Sequence, residues 1–122
     1  MKINLANHYG MCFGVRDAIK ATRQLAAERP LTVLGQLVHN PAVHQQLHQL
    51  GVKDGDLANL NSSPTPDVVI TAHGASDGDR KRWTDAGFRV RDTTCPLVKR
   101  AHHALGLLVA RGFFPVVIGM KD

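Results

Sequence analysis

Short apolar runs alternate with stretches of helical period along most of the chain. The runs "INLA" (residues 3–6), "TVLG" (32–35), "DVVITA" (67–72), "FRVRD" (88–92) and "FPVVIG" (114–119) predict β-strands. Between them, Val15, Ile19, Thr22, Leu25 and Ala26 share one helical face, with Arg16, Lys20 and Arg23 largely away from it. Val43, Leu47 and Leu50 form a second stripe ahead of Gly51, which reads as a C-terminal cap. A third, weaker helix is expected over residues 76–86. The best-defined stripe is Leu97, Ala101, Ala104, Leu105, Leu108 and Val109, ending at Gly112. The segment 53–67, rich in Asp, Asn, Ser and Pro, reads as a surface loop. Strands alternating with helices imply right-handed crossovers, hence an α/β fold with a mainly parallel sheet and flanking helices.

The helix starts are well marked. "HNPAV" puts Asn40 at an N-cap with Pro41 at the first helical position. "SDGD" has the spacing of a capping box, with Asp79 where Glu or Gln is usual. "CPLV" makes Cys95 the N-cap before Pro96, and Gly10 and Gly14 bracket Cys12 ahead of the first helix. Cys12, His39, His73 and Cys95 thus occupy four strand-to-helix turns. In a parallel sheet such turns gather at the carboxyl edge of the strands, where open α/β folds bind ligands. Helix N-termini there offer N–H groups suited to phosphate, and their dipoles favour the thiolate, the metal-binding form of cysteine. A single cysteine is most often a small buried hydrophobe, and a single turn histidine a solvated residue. Four such groups on four equivalent turns read as one shared site. The remaining histidines read as surface residues. His44 and His48 have the i, i+4 spacing of a helical metal pair but no evident acidic or cysteine partner, His102 and His103 point different ways, and His8 lies near Cys12.

Composition narrows the classes. At 122 residues, 43% hydrophobic and 20% charged, the chain is large enough for a packed core and is not of the disordered type. A formal charge of +5 favours anionic ligands, but the basic residues are scattered and only one Tyr and one Trp are available for base stacking, so nucleic-acid binding is not expected. No apolar run has the length of a membrane span and no signal-peptide layout opens the chain, which reads as cytoplasmic. Two cysteines without CxxC spacing disfavour a disulfide framework, a zinc knuckle and a thioredoxin motif.

The stretches "ANHYGMCFGVRDAI", "LGQLVHNPAV", "TAHGAS" and "DTTCPLV" together resemble, in order and spacing, the successive motifs of the 4-hydroxy-3-methylbut-2-enyl diphosphate reductases, the IspH or LytB family. The resemblance implies an oxidoreductase of the non-mevalonate isoprenoid pathway, which reductively removes the hydroxyl of an allylic diphosphate to give isopentenyl and dimethylallyl diphosphates. It implies a 4Fe–4S cluster held by three cysteines with one iron left open for the substrate oxygen. By motif, Cys12 and Cys95 correspond to two of those ligands, and His39 and His73 to histidines that bind the diphosphate. Reduced ferredoxin or flavodoxin serves the family as electron donor. Met11 stands where Phe is common, a small departure.

The larger departure is length. The family has three similar α/β domains, and this chain corresponds to the first (residues 1–95, with the N-terminal strand) and the opening helix and strand of a second (96–122). The third cysteine, a further diphosphate-binding histidine and the proton-delivering glutamate are expected beyond Asp122, so no catalytic residue is assigned within the chain. Catalysis by these residues alone is not expected, and a further polypeptide would have to supply the missing domains. In the family the first strand packs into the last domain, which leaves "KINLA" unpaired or repurposed here. The alternatives are a non-catalytic diphosphate-binding module and an inert family remnant.

Overall fold

The computed structural model describes residues 1–7, 10–116 and 118. Its centre is a four-stranded sheet in which β1 (Thr32–Leu34), β2 (Lys53–Gly55), β3 (Asp67–Ile70) and β4 (Arg89–Asp92) lie in the order β2-β1-β3-β4. Every pairing is parallel, with Val33 opposite Val69 and Leu34 opposite Ile70 at the centre. The helices are α1 (Phe13–Glu28), α2 (Pro41–Gln49), α3 (Asp77–Asp85) and α4 (Pro96–Ala110).

The central strands are buried along their whole length, as strands covered on both faces must be, whereas β2 and β4 mix exposed and half-buried residues. Alternation along the strands sends Val33 and Val69 to one face and Leu34, Val68 and Ile70 to the other. On the first face α1 and α2 close over the sheet through Ala18, Val43 and Leu47. The stripe predicted on α1 is present, with Ala18 and Thr22 buried at its centre and Val15, Ile19, Leu25 and Ala26 packed around them. On the second face α3 contributes Trp83, which is fully buried, stacks edge-on to Phe88 and donates its indole N–H to the Leu57 carbonyl at 2.9 Å. That hydrogen bond lets an amphipathic ring enter the core without an orphaned donor.

The predicted caps form. Asn40 Oδ1 accepts from the N–H groups of Ala42 and Val43, and Gly51 closes α2 with a φ of 81°. Ser76 accepts from the Asp79 N–H at 3.0 Å, but the shorter Asp79 carboxylate takes the Ser76 hydroxyl proton instead of reaching back to the Ser76 N–H. Three expectations require correction. "INLA" is not a strand: residues 1–7 are exposed and pair with no strand among the described residues. Residues 114–116 and 118 of "FPVVIG" are likewise exposed and in no strand, while 117 and 119 lie outside the described residues. The segment 53–67 is not all loop: Lys53–Gly55 pairs with β1 as an edge strand, and Leu60–Ser62 makes a 3-10 turn. An edge strand needs no apolar residues, so the polar "KDG" hid it.

Candidate functional site

Three turns leave the carboxyl ends of strands and enter helices: β1 to α2, β3 to α3, and β4 to α4. They carry His39, His73 and Cys95 respectively. Cys12 stands at the start of α1 with no strand ahead of it among the described residues, so the four groups lie on three strand-to-helix turns and one helix start.

The structure draws these loops together. The rings of His39 and His73 lie with centroids 4.9 Å apart, tilted by 46°. His39 Nδ1 is 3.1 Å from Gln36 Oε1, which can only accept, so Nδ1 carries the proton there and Nε2 is left for a ligand. The Cys95 N–H donates to the Ala72 carbonyl at 3.0 Å, tying the second thiol to the residue before His73. Gly74 adopts a φ of 91° and lies so close to Thr94 that a Cβ there would come within 2.7 Å of its methyl. A side chain at this position would push the His73 and Cys95 loops apart. Gly14 acts similarly on the other side, since a Cβ there would meet Cys95 Sγ at 2.5 Å. The Cys95 thiol is therefore seated against the first turn of α1, the turn that Cys12 opens.

Both thiols occupy N-cap positions, and neither makes a side-chain cap hydrogen bond. Ser, Thr, Asp or Asn at such a position typically adds about 1 kcal/mol of stability. Both cysteines are free, Cys12 exposed and Cys95 partly so. Cysteine at two helix starts that forgo a cap is a choice that stability does not explain.

Asp92, which sequence reading passed over, holds the loop ahead of Cys95. Its carboxylate accepts from the Thr94 N–H at 2.9 Å and from the Thr94 hydroxyl, and pairs with Lys99 at 2.9 Å and Arg80 at 3.0 Å. Burial pushes this carboxyl up, but the Thr94 hydrogen bonds and Lys99 together outweigh it and hold it at about 2. An Asp two residues before a Thr was the available clue, since Asp side chains commonly cap the N–H two residues on. Beside it, a groove of about 540 Å³ between α3 and α4 is lined by Arg80, Lys99, His102 and His103 among others. His44 and His48 lie on α2, where His44 shares with His39, Gln36 and Asn40 the lining of a neighbouring groove, and His8 lies outside the described residues.

The arrangement places two soft thiol donors and two imidazoles on neighbouring loops, suited respectively to a transition metal and an anion. A family model described as LytB protein matches residues 3–122. The 4-hydroxy-3-methylbut-2-enyl diphosphate reductase of Symbiobacterium thermophilum is 40% identical over 120 residues, spanning 92% of this chain and 41% of that protein. The enzyme of the same name from Aquifex aeolicus is 34% identical over 122 residues, spanning 98% of this chain and 42% of its own. Among solved structures, the E-1-hydroxy-2-methyl-but-2-enyl-4-diphosphate reductase of Plasmodium falciparum superposes with a TM-score of 0.79 at 27% identity, covering 88% of this chain and 34% of that one. A structure of (E)-4-hydroxy-3-methyl-but-2-enyl diphosphate reductase, the terminal enzyme of the non-mevalonate pathway, superposes with a TM-score of 0.76 at 32% identity, covering 92% and 40%. The chain spans about two fifths of the length of the curated relatives it matches.

Proposed function

The chain belongs to the LytB protein family, and on that premise we propose that it is the N-terminal segment of an iron–sulfur reductase that converts 4-hydroxy-3-methylbut-2-enyl diphosphate to isopentenyl and dimethylallyl diphosphates. The observation that carries this reading is the convergence of His39, His73 and Cys95 on adjoining loops, with Cys95 seated on the first turn behind Cys12.

In this reading Cys12 and Cys95 would be two of the ligands that hold a 4Fe–4S cluster. The donor set fits: both thiols are free, uncapped and at helix N-termini, where thiolate is favoured. The chain has two cysteines, so the third ligand comes from other residues of the complete protein. When bound, such a cluster supplies electrons and an open iron for a substrate oxygen. His39 and His73 bind the diphosphate through ring N–H groups that donate to its oxygens, with Gln36 fixing the His39 ring. Asp92 fixes the turn that presents Cys95. Reduced ferredoxin or flavodoxin is the electron donor, and the location is cytoplasmic. Among the described residues no helix is long and apolar enough to cross a membrane.

Residues 1–95 form the first domain in this proposal, and α4 opens a second. None of the residues of α4 is buried, although its stripe is strongly apolar. Exposed apolar faces of this kind mark surfaces that pack against a partner. The partner here is further α/β structure of the same enzyme.

Titration of the chain with inorganic diphosphate, followed through the histidine ring resonances, tests the reading. His39 and His73 are expected to move together and saturate, and His39→Ala or His73→Ala to weaken binding by about tenfold, the loss of one charge-assisted hydrogen bond. A titration that moves neither ring, or moves only His102 and His103 in the neighbouring groove, would contradict it.

A further inference from the structure

We propose that His44, His48 and Asp54 form a binding site for a divalent cation of the zinc type, between α2 and the edge strand β2, with no ligand in common with the His39, His73 and Cys95 site. The two histidines lie one helical turn apart, with ring centroids 4.1 Å from each other. The edge strand β2 brings Asp54 against both. His44 Nε2 lies 3.1 Å from Oδ1 of its carboxylate, and His48 Nε2 lies 2.7 Å from Oδ2. One ligand atom from each residue falls within 4.8 Å of the others. Donors that share a tetrahedral zinc at about 2.0–2.2 Å stand roughly 3.3–3.6 Å apart, so modest side-chain rotations admit the ion.

The framework that holds the three ligands is fixed at both ends. α2 packs through Val43 and Leu47, and β2 is paired with β1 so that Asp54 stands opposite Val33. On the inner side the three side chains adjoin a small cavity of about 10 Å³ walled by Val33, Val43 and Leu47. All three ligands are close to half exposed, so an ion in solution reaches them directly.

The donor set selects the metal. Two imidazoles and one carboxylate suit zinc and its neighbours, whereas calcium and magnesium require oxygen ligands throughout. Three protein ligands leave one position for water or another ligand. In the metal-free chain each Nε2–H can donate to Asp54. On binding, each ring offers the Nε2 lone pair and carries its remaining proton on Nδ1: a neutral ring shifts its proton from Nε2 to Nδ1, and a doubly protonated ring releases the Nε2 proton to solvent. The ion would clip the polar edge strand to α2.

The test is a zinc titration of the intact chain, read through the histidine ring resonances. At one zinc per chain the His44 and His48 signals are expected to move to a bound position while His39 and His73 stay in place. Asp54→Asn and His48→Gln, both at exposed positions, are expected to weaken that step by about tenfold or more. Zinc that leaves His44 and His48 unmoved, including zinc taken up only by Cys12 and Cys95, would overturn the proposal and leave the cluster a simple hydrogen-bonded ion pair. Affinity unchanged in both variants would overturn it equally. None of these outcomes depends on the reductase reading.

Discussion

Leu47 in α2 and Leu108 in α4 hold the same kind of place, on the apolar stripe of an amphipathic helix, and meet opposite fates. Leu47 is 3% exposed, against the sheet, and Leu108 is 46% exposed. The sheet with α1, α2 and α3 closes two cores on its own, while α4, residues 1–7 and residues 113–116 present Leu97, Leu107, Ile3, Leu5 and Phe114 to solvent. Amphipathic pattern specifies a helix and the face it will bury, but not what buries it. The first region is thus a self-sufficient body, and the second is an exposed apolar surface that begins at the same edge as the thiols and imidazoles.

That division predicts a graded set of responses. Trp83→Ala strikes the second core and should cost about 3–5 kcal/mol in chemical denaturation. A loss under about 1 kcal/mol would mean that the body is not packed as described. Asp92 links the body to the site, and its effect appears as pH dependence. Because its folded pKa is depressed from 3.8 to about 2, its contribution is complete above the ordinary Asp range and is lost as pH falls through about 2. The amount is on the order of 2 kcal/mol. Asp92→Asn should lower stability at neutral pH and flatten the acid limb of the stability curve between those values.

Gly14→Ala sharpens the contact between α1 and Cys95. Displacing the thiol costs about 1–3 kcal/mol as overpacking, and better helix propensity returns about 1 kcal/mol. The net expectation is a small destabilisation with a changed rate of Cys95 alkylation, and an unchanged rate would remove Gly14 as its seat. At the low end, Leu108→Lys should leave stability within about 0.5 kcal/mol, as surface changes do, and reduce binding of a hydrophobic dye. A large loss of stability would show that α4 belongs to the body.

Much of this was legible in the residues. The two central strands announce themselves as apolar runs, and Asn40, Ser76, Gly51 and Gly112 mark helix ends by chemistry that acts locally. The four candidate site residues were visible because each sits at a marked helix start. Long-range facts were not visible. "INLA" has strand composition but no strand beside it among the described residues, and pairing is a property of two segments. "KDG" is a strand only because β1 offers it an edge. With that strand unseen, Asp54 could not be set beside His44 and His48, ten and six residues away along the chain. The seating of Cys95 on Gly14 likewise depends on two segments some eighty positions apart.

The most direct test of the central claim, that Cys12 and Cys95 act as one metal-binding pair, is an iron and sulfide count after anaerobic reconstitution of the wild-type chain, Cys12→Ala and Cys95→Ala. With a small thiol added to stand in for the third ligand, the account predicts that wild type retains iron and sulfide with the absorbance of a cluster, and that either substitution alone abolishes retention. Iron retained equally by all three chains, or by none, would contradict it.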